Sequence, residues 1–417
     1  YSVPAWAPTN SKGASVEYAE WYWRQMNNPG DPTYAHQANT YGKNFNYDDF
    51  IPQFTASKFD PKAWVQLFQQ AGAKYFVDVT KHHDGFALFN TKYSNRNSVV
   101  MGPHQDIVKE LFDAAATYAP DLKRGVYYSL PEWYNPSYPG DGSSFPGGPP
   151  HNPYTGKQLT YTGYIPVKSY VTNFQEPQMK ELVNNYKPDI LWCDIGGVNN
   201  SNAVFQDYFN QGLSTGQQVV VNNRCGNGVS DFSTPEYSTY GSLKTAKWES
   251  NRGIDPFSFG YNSATATSAY ATSQQLITDL VDIVSKNGNL LLDIGPKADG
   301  TIPTVMQQRL QDIGAWLKIN GESIYNTTYW WRGAQDGNLR FTISPNKAFY
   351  ITDVAKPGSQ IVTSKPVPIQ AGDKITMLGY NGGPLQWSQQ NGKLTINVPA
   401  AAQQAGKNAW VFKISWT

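Results

Sequence analysis

The stretch DPKAWVQLFQQAGAKYFVDVT, residues 60–80, indicates how this chain folds. Asp60 is a candidate N-cap, Pro61 suits the first helical position, and Gly72 suits the end of a helix. One face of that helix carries the apolar side chains of Trp64, Leu67, Phe68 and Ala71. Residues 75–80 are β-branched and aromatic, which is typical of a short buried strand. The stretch therefore predicts a helix followed directly by a strand.

The same order of helix and strand recurs along the first 332 residues. Further helices are predicted at 106–118, 175–186 and 273–285, before strands at 125–128, 190–194 and 290–294. Residues 219–221 predict another strand with no long helix before it, and residues 305–318 predict a last helix. This alternation is typical of a parallel sheet wrapped by helices, and the number of units suits a barrel. We therefore predict the α/β class, with a (β/α)8-like barrel domain over residues 1–332.

The pattern changes after about Gly333, where apolar and polar residues alternate in short runs. The runs lie at 339–344, 348–353, 374–378, 394–398 and 410–414, separated by Gly, Pro and Asn turns. Residues 333–417 are therefore predicted to form a small all-β domain, a C-terminal sandwich. Its aromatic residues Trp387, Trp410 and Trp416 could form a sugar-binding surface, but aromatic residues in a small sandwich belong more often to the core.

A long loop is predicted at residues 136–163, which are rich in Pro, Gly, Ser and Tyr. The loop follows a predicted strand, and on a barrel the segments that follow the strands lie over the active face. A binding role is therefore expected for this loop, rather than that of a mobile insertion.

The composition excludes two classes of partner. The 417 residues include 33 Lys and Arg against 32 Asp and Glu, a net charge of +1, and no block of Lys and Arg. Binding to a nucleic-acid backbone or to a membrane surface requires a concentrated basic patch, so neither partner is expected. No run of about eighteen apolar residues is present, so no membrane-spanning helix is predicted.

Two glycosylation sequons favour the secretory pathway. The sequons Asn199-Asn200-Ser201 and Asn326-Thr327-Thr328 make Asn199 and Asn326 candidate glycosylation sites, and we expect a secreted protein.

Cys193 and Cys225 are too few and too far apart for a zinc site, and they permit at most one disulfide. The sequence contains no phosphate loop, dinucleotide fingerprint or Gly-x-Ser-x-Gly elbow, so no cofactor is expected.

Polar residues that end the apolar runs are candidate site residues, because barrel enzymes build their active sites at the C-terminal ends of the strands. These residues are His82, His83, Asp84, Tyr127, Asp194, Arg224 and Glu236. Trp192 and Asp194 lie two apart on one strand, so their side chains project to one side and that of Cys193 to the other. An aromatic ring beside a carboxylate suits a sugar site, although Asp194 could instead only cap the following loop.

His82 and His83 suggest two kinds of site. A metal centre is the less favoured of the two, because consecutive strand residues point to opposite faces and no third histidine follows at a ligand-like spacing. Imidazoles that donate hydrogen bonds to sugar hydroxyls are the favoured interpretation, and no metal is expected. The remaining alternative is that one of the two is a core histidine with its hydrogen bonds satisfied.

Eight ordered blocks of the sequence resemble a known family. They are Tyr18-Ala19-Glu20-Trp21-Tyr22, Lys81-His82-His83-Asp84-Gly85-Phe86, Val126-Tyr127-Tyr128-Ser129, Trp192-Cys193-Asp194, Asn223-Arg224, Asp231-Phe232-Ser233-Thr234-Pro235-Glu236-Tyr237, Trp248-Glu249 and Asn289-Leu290-Leu291-Leu292-Asp293-Ile294-Gly295-Pro296. In this order they resemble the retaining α-L-fucosidases of glycoside hydrolase family 29, over about residues 1–330. The tail resembles that family's C-terminal β-sandwich more weakly.

The resemblance implies catalytic roles for two carboxylates. Asp194 matches the family's nucleophile, and Glu236 matches the general acid/base of its close relatives. Glu249 and Asp255 are the alternatives for the acid/base, although a strand-end salt bridge or cap is the favoured interpretation of both. Retention requires two carboxyl groups about 5 to 5.5 Å apart, which separate strand ends of a barrel can provide.

The resemblance also implies residues that bind the sugar. Positions that hold the fucose and flank the nucleophile are matched by His82, His83, Tyr127, Trp192 and Arg224. Glu20 and Trp21 match a carboxylate that binds ring hydroxyls and its aromatic neighbour, and Phe259 matches an apolar contact near the C5 methyl group. If Arg224 lies beside Asp194 it would hold the nucleophile ionised, and a less polar setting for Glu236 would raise its pKa.

The implied function is that of an exo-acting α-L-fucosidase, whose substrates are fucosylated oligosaccharides or glycoconjugates. The alternative is a catalytically inactive fucose-binding lectin on a glycosidase scaffold. Presence of both Asp194 and Glu236 opposes the lectin, because a binding protein has no need of a paired nucleophile and acid.

Two further expectations concern the cysteines and the first strand. Cys193 and Cys225 each follow or precede a residue that faces the sugar, so the two thiols are predicted to meet behind the site, with their bonding left open. Family members carry an apolar strand ending in His-Trp-Gly just before the segment that matches residues 1–6. A barrel built from residues 1–417 would therefore lack its first strand and expose unpaired edges, so we expect the natural protein to extend upstream.

Overall fold

The computed structural model describes residues 2–10, 18–142, 144–197, 199–345 and 347–416. In the first part of the chain the helices are α1 (Tyr22–Met26), α2 (Pro32–Thr40), α3 (Pro61–Gln70), α4 (Ile107–Tyr118), α5 (Glu176–Tyr186), α6 (Ser201–Thr215), α7 (Ser273–Ser285) and α8 (Thr304–Asn320). The strands are β1 (Tyr75–Lys81), β2 (Lys123–Ser129), β3 (Ile190–Asp194), β4 (Val220–Val221), β5 (Trp248–Gly253) and β6 (Gly288–Asp293). The predicted alternation of helices and strands is confirmed.

Helix α3 begins and ends where the sequence predicts. Asp60 accepts a hydrogen bond from Ala63 N at 3.0 Å, and Pro61 is the first helical residue. Gly72 follows the helix with a φ of +79°, a conformation that favours glycine. These two ends fix where the chain enters β1, which begins three residues after Gly72.

Strand β4 is preceded by a long helix, so our prediction that none precedes it is wrong. Helix α6 has 15 residues and buries Val204, Phe205 and Tyr208 in the core. Weak helix formers such as Asn, Gly, Ser and Thr fill many of its other positions, so intrinsic propensity gives little signal. Burial of one apolar face against the barrel stabilises the helix instead.

The strands form an open parallel ring. β1 to β4 pair in that order as one parallel sheet, and β5 and β6 pair as another. Residues 232–236 join the two sheets through the parallel bridges Asn222 to Phe232, Ser233 to Trp248 and Glu236 to Asn251. Among the described residues β1 and β6 do not pair with each other, and a cleft lies between them. The C-terminal ends of all these segments meet at one rim.

The segment after β2 packs over that rim, as predicted for the long loop. Its backbone is joined to the strand ends by hydrogen bonds from Leu130 N to Asp194 O at 3.0 Å and from Trp133 N to His83 O at 2.9 Å. An aromatic cluster packs the segment against α1 and its surroundings, and its members are Tyr22, Trp23, Met26, Phe50, Trp133, Tyr134, Tyr138, Phe145, Tyr161, Tyr170 and Phe174. This cover of the strand ends is packed, but none of its described residues lines the cavity at the site, so the binding role expected of residues 136–163 stays a prediction.

A buried ion pair fastens this cover to β1. Lys81 Nζ lies 2.8 Å from Glu132 Oε1, and neither side chain is exposed. Glu132 Oε2 also accepts hydrogen bonds from Tyr161 Oη at 2.7 Å and from Asn135 Nδ2 at 2.8 Å. The Lys81 ammonium group lies 4.2 Å from the centre of the Tyr128 ring. Because both charges are buried and partnered, separating them is costly.

The C-terminal region is built almost entirely of strands. They are β7 (Thr328–Tyr329), β8 (Gln335–Asp336), β9 (Leu339–Ser344), β10 (Ala348–Asp353), β11 (Gln360–Val362), β12 (Lys374–Met377), β13 (Trp387–Gln390), β14 (Lys393–Asn397) and β15 (Trp410–Ser415), with one short helix, α9 (Ala400–Ala405). One sheet has the order β12-β15-β10-β9-β7, with β8 also paired to β9, and the other has the order β11-β14-β13. The five predicted runs all coincide with strands.

Both sheets contribute side chains to one hydrophobic cluster, as the predicted sandwich requires. Phe349 and Phe412 come from the larger sheet, and Leu394 and Ile396 come from the smaller one. The three tryptophans considered for sugar binding also contact this cluster: Trp387, Trp410 and Trp416. Trp410 is buried in the cluster, so the core interpretation is confirmed for that residue, whereas Trp387 and Trp416 are only partly buried against it.

Candidate active site

Strand β3 carries Asp194 at its C-terminal end, where four groups surround the carboxylate. Oδ1 accepts hydrogen bonds from Arg224 Nη1 at 2.9 Å and from Ile195 N at 3.0 Å. Oδ2 accepts one from Tyr127 Oη at 2.7 Å and lies 3.8 Å from His83 Nε2. Burial raises the pKa of Asp194, but His83 and Arg224 lower it by more, so this pKa lies below its usual range. Asp194 does cap the next residue, and it is also an ionised group within a cage of donors.

Arg224 lies in the 3-10 turn Asn223–Cys225 that follows β4, and it bridges two carboxylates. Its Nη1 donates to Asp194 Oδ1 at 2.9 Å and to Glu236 Oε2 at 3.0 Å. Its other edge donates to Thr234, from Nε to Oγ1 at 2.9 Å and from Nη2 to the carbonyl oxygen at 2.8 Å. The planar guanidinium is thereby held in one orientation. Arg224 lies beside Asp194, as predicted.

Glu236 lies at the end of the segment that joins the two sheets. Tyr18 Oη donates to its Oε1 at 2.7 Å, and Arg224 contacts its Oε2. The Glu236 side chain is 32% exposed, against 14% for Asp194. The expected less polar setting is not found, because a guanidinium and a phenol hydroxyl both contact this carboxyl group.

The shared nitrogen of Arg224 limits how far apart the two carboxylates lie. Asp194 Oδ1 and Glu236 Oε2 lie no more than about 6 Å apart, and this upper limit allows the separation of about 5 to 5.5 Å that retaining glycosidases use. Inverting enzymes leave room for a water molecule and hold the pair about 6.5 to 9.5 Å apart. The geometry therefore suits retention.

Glu249 of β5 lies behind Trp192. Its Oε1 accepts a hydrogen bond from Trp192 Nε1 at 2.9 Å, and its Oε2 accepts one from Tyr75 Oη at 2.7 Å. Glu249 is 3% exposed, and burial raises its pKa. Trp192 in turn stacks on Tyr127, with 5.4 Å between the ring centres. Glu249 is a structural residue, but its partners are an indole and a phenol, so the salt bridge or cap that we favoured is not what it forms.

The rings of His82 and His83 lie side by side, His82 at the cavity surface and His83 behind it next to Asp194, so the prediction that they point to opposite faces is wrong. Their ring centres lie 4.6 Å apart. The reason is that β1 ends at Lys81, and the alternation of a strand does not apply in the turn beyond it. His83 Nδ1 lies 2.9 Å from the carbonyl oxygen of Pro131, so this nitrogen carries the hydrogen and Nε2 faces Asp194.

His82 is the buried neighbour of this pair. Burial, together with the adjacent His83, holds the pKa of His82 well below its usual range, so its ring is neutral. The ring stacks on Tyr127 at 6.1 Å. A neutral imidazole in this position can donate or accept one hydrogen bond.

The 3-10 helix Ala19–Trp21 brings Glu20 and Trp21 to the rim. Glu20 Oε2 accepts hydrogen bonds from Ser258 Oγ at 3.0 Å and from Gly260 N at 2.9 Å. Burial raises the pKa of Glu20. Trp21 packs edge-on against His83, with 5.8 Å between the ring centres.

An aromatic wall stands beside Glu236. Phe259 packs against Tyr237 at 4.8 Å and against Tyr18 at 5.5 Å between ring centres. Because Tyr18 also donates to Glu236, the wall and the carboxyl group are held together. The predicted apolar residue therefore lies next to the predicted acid/base.

Two candidates lie outside the site. Asp84 accepts hydrogen bonds from Tyr47 Oη at 3.2 Å and from Phe86 N at 3.1 Å, below the covering loop. Asp255 accepts one from Phe257 N at 2.9 Å, which is a cap, as favoured. Neither lines the cavity at the site.

Cys193 and Cys225 form a disulfide, with 5.0 Å between their Cα atoms. Both residues are buried. The predicted proximity behind the site is confirmed, and the bond that the sequence left open is present.

One continuous cavity of about 890 Å³ runs along the cleft between β1 and β6 and opens at the rim. Among the predicted site residues it is lined by Glu20, Trp21, His82, Tyr127, Trp192, Asp194, Arg224, Glu236 and Phe259. His83 lies behind this surface and is buried. In the part of the chain that the structure describes, no group of three or more His, Cys, Asp and Glu is arranged to hold a metal ion. No helix among the described residues is both long enough and apolar enough to cross a membrane.

Sequence reasoning missed three supporting residues. Tyr18 contacts Glu236, Thr234 anchors Arg224, and Tyr75 contacts Glu249. Tyr18 and Thr234 lie inside blocks that resemble the family, which is the signal that could have identified them. Tyr75 carries no such signal, because its contact with Glu249 joins β1 to β5, two strands that do not pair with each other.

Family models match both parts of the chain. The family "Alpha-L-fucosidase" matches residues 1–322, and "Alpha-L-fucosidase C-terminal domain" matches residues 334–415. The chain is 35% identical to the plasma alpha-L-fucosidase of Homo sapiens over 425 residues, covering 95% of this chain and 86% of that protein. It is 33% identical to the alpha-L-fucosidase of Dictyostelium discoideum over 427 residues, covering 97% and 86%.

Solved structures agree with this assignment. The alpha-fucosidase of Thermotoga maritima in complex with fucose is 34% identical and superposes with a TM-score of 0.79, covering 99% of this chain and 92% of that one. The same protein in complex with a mechanism-based inhibitor gives a TM-score of 0.80. The relatives thus match along both the barrel and the C-terminal region. The chain therefore belongs to the alpha-L-fucosidase family, glycoside hydrolase family 29, and is a glycoside hydrolase.

Proposed function

We propose that Asp194 is the nucleophile and Glu236 the general acid/base of this α-L-fucosidase, which releases terminal fucose with retention of configuration. The observation that carries the proposal is the Arg224 bridge, in which one nitrogen contacts both carboxyl groups at 2.9 and 3.0 Å. A lectin has no need of two carboxyl groups held at this separation.

The first step forms a bond between Asp194 and C1 of the fucose. The bond from C1 to the glycosidic oxygen breaks, and Glu236 gives its proton to that oxygen, which leaves as an alcohol. The product is a fucosyl ester of Asp194 with inverted configuration at C1. The depressed pKa of Asp194 supports this role, because the attacking group must be ionised.

The second step uses water. Glu236, now a carboxylate, takes a proton from a water molecule whose oxygen attacks C1, and the ester bond to Asp194 breaks. The second inversion restores the original configuration, and Glu236 again carries the proton. Partial exposure of Glu236 supports this role, because a general base must meet water.

Arg224 suits both steps because Asp194 and Glu236 together carry one negative charge in each of them. The charge resides on Asp194 before attack and on Glu236 in the ester intermediate. A cation that contacts one oxygen of each group faces this charge in either state without moving. The two bonds to Thr234 keep the guanidinium in place meanwhile.

The walls of the cavity suit a deoxy sugar. Glu20 and His82 present polar atoms for ring hydroxyls, while Trp21 and Phe259 present aromatic surface. A methyl group at C5 gains from apolar contact, and an apolar pocket favours it modestly over a hydroxymethyl group. The proposed substrates are fucosylated oligosaccharides or glycoconjugates.

Glu249 supports the site through Trp192. Its two hydrogen bonds hold the indole, over which the Arg224 guanidinium lies at 4.8 Å. Because Glu249 accepts both bonds and lies behind the aromatic ring, it is a positioning residue rather than an acid. Asp255 likewise stays outside the chemistry.

Secretion and the two-domain division complete the proposal. A disulfide is typical of an oxidising compartment, and relatives include plasma enzymes. Asn326 is exposed, and Asn199 lies on the loop after β3, so both sequons remain proposed glycosylation sites. The proposed boundary between residues 332 and 333 falls between the two family matches, which end at 322 and begin at 334, and it leaves β7 (Thr328–Tyr329), which pairs with β9 of the C-terminal sheet, on the barrel side.

An assay of the purified protein with 4-nitrophenyl α-L-fucoside tests the proposal. We expect release of nitrophenol, with α-fucose as the first anomer detected by proton NMR. β-Fucose as the first product would contradict retention. Binding of fucose without turnover would favour the lectin.

A further inference from the structure

We infer that the Cys193–Cys225 disulfide is a positioning device for catalysis, which holds Arg224 against Asp194. Each functional residue is the direct neighbour of a half-cystine, since Asp194 follows Cys193 and Arg224 precedes Cys225. The inference rests on the proposed role of Asp194. Its experiment is therefore designed so that the two ideas can fail separately.

The backbone ladder between β3 and β4 stops before the catalytic residues. Its registered pairs are Ile190 with Val220 and Leu191 with Val221. The next hydrogen bond, from Asn222 N to Leu191 O, is already 3.4 Å long. Regular sheet pairing therefore does not align the end of β3 with the turn that carries Arg224.

Two other links span this gap. The Asn222 side chain forms the two hydrogen bonds that the backbone of a paired strand would form. Its Oδ1 accepts a hydrogen bond from Cys193 N, and its Nδ2 donates one to Cys193 O, both at 2.9 Å. The disulfide is the second link, and it is covalent. Together they replace the missing ladder between the end of β3 and the turn.

The side chain and the backbone of Arg224 are held by different parts of the molecule. Its bonds to Thr234 tie the guanidinium to the segment that carries Glu236. The disulfide ties its backbone to the strand that carries Asp194. Loss of the disulfide should therefore loosen the contact with Asp194 and spare the contact with Glu236.

The residue after Asp194 shows that this strand end is held by its surroundings. Ile195 has a φ of +48°, in the left-handed region that β-branched residues rarely adopt. Such a conformation persists only where neighbouring structure enforces it. Asp194 thus lies between a covalent link on one side and a strained residue on the other.

The test is the variant Cys193→Ala/Cys225→Ala, assayed with 4-nitrophenyl α-L-fucoside. We expect kcat/KM to fall by about tenfold to a hundredfold, as expected for a small misplacement of reacting groups. We also expect the acid limb of the pH profile to move up by about one unit, because Asp194 loses part of its contact with a cation. Wild-type kcat/KM with an unshifted acid limb would overturn the inference.

A matched control separates positioning from simple stabilisation. Leu394 is buried in the C-terminal cluster, far from the cavity residues in sequence and domain, so Leu394→Ala should lower the melting temperature. Its acid limb should remain that of the wild type. If Leu394→Ala shifts the acid limb as the double variant does, the shift reflects lost stability and the inference fails.

Asp194→Gly is assayed in parallel. Turnover by that variant would overturn the proposed function, whereas an inactive Asp194→Gly beside a fully active double variant would overturn the disulfide inference alone. If the double variant does not fold, wild-type protein is folded first and then reduced with a phosphine, with alkylation and intact mass to count the thiols. Loss of circular dichroism in that sample as well would overturn the inference, because the bond would then hold the fold rather than the site.

Discussion

Asp194 and Glu236 share Arg224 but have different surroundings. Asp194 ends a paired strand, is 14% exposed and is linked through its neighbour to a disulfide. Glu236 ends a segment joined to the sheet only by single bridges, and it is 32% exposed. The two groups thus differ in exposure and in the backbone pairing that supports them at the same rim.

The difference matches what each proposed role demands. A nucleophile attacks one atom from one direction, so it gains from a fixed position and permanent ionisation. A general acid/base exchanges protons with a leaving group and then with water, so it needs access. The following predictions test this contrast, beginning with the largest effect.

The replacement Asp194→Gly should abolish nearly all turnover, by roughly 10³- to 10⁵-fold, because no neighbouring group can attack C1. Added azide should enter the vacated space, restore some rate and yield β-fucosyl azide. Product analysis by NMR checks the configuration. Normal turnover by this variant would show that Asp194 is not the nucleophile.

The replacement Glu236→Ala should slow substrates with poor leaving groups by about 10²- to 10⁴-fold and activated aryl fucosides far less. Only the former need a proton in the first step. Rates on a fucosylated oligosaccharide and on 4-nitrophenyl fucoside provide the comparison. If Glu249→Ala gives this pattern instead, Glu236 is not the acid.

The replacement Arg224→Lys should shift the pH at which Asp194 loses its charge. The pKa of Asp194 is held below its unfolded value of about 3.9, so its ionisation contributes stability above that pH, and this contribution is lost as pH falls through the folded pKa. An ammonium group cannot keep both carboxylate contacts and both bonds to Thr234, so the pKa should rise. Activity and melting temperature should then both decline at a higher pH than in the wild type. Unchanged profiles would mean that Arg224 does not set the charge of Asp194.

Glu249 should give the smallest effect. Glu249→Gln keeps an acceptor for Trp192 and can donate to Tyr75, so kcat/KM should stay within about threefold of wild type. Glu249→Ala leaves the indole unpartnered and should lower kcat/KM about tenfold on good and poor leaving groups alike. A large loss in Glu249→Gln would point to a proton-transfer role.

Sequence reasoning predicted the residues that end strands better than the residues that support them. Asp194 and Trp192 follow from the alternation of one strand, and the family blocks identified Glu236 and Arg224. The hydrogen bonds of Glu249 to Trp192 and Tyr75 join β5 to β3 and β1, strands that do not pair with β5, and no local pattern encodes these contacts. Contacts between strands far apart in the sequence are therefore the part of the site that could not be predicted.

The errors in the fold have local causes. Helix α6 was missed because its apolar positions are few and its other residues favour turns. The orientation of the histidine pair was predicted wrongly because strand alternation was extended two residues beyond Lys81, to His82 and His83. In both places packing decided the conformation over the local pattern.

The buried pair of Lys81 and Glu132 has a consequence for the shape of the site. Separating the two side chains would leave one unpaired charge in the interior, at a cost of about 3 to 5 kcal/mol. A form with this pair broken would then account for fewer than about one molecule in a hundred. The junction between the end of β1 and the start of the segment after β2 is thus already formed before any sugar binds.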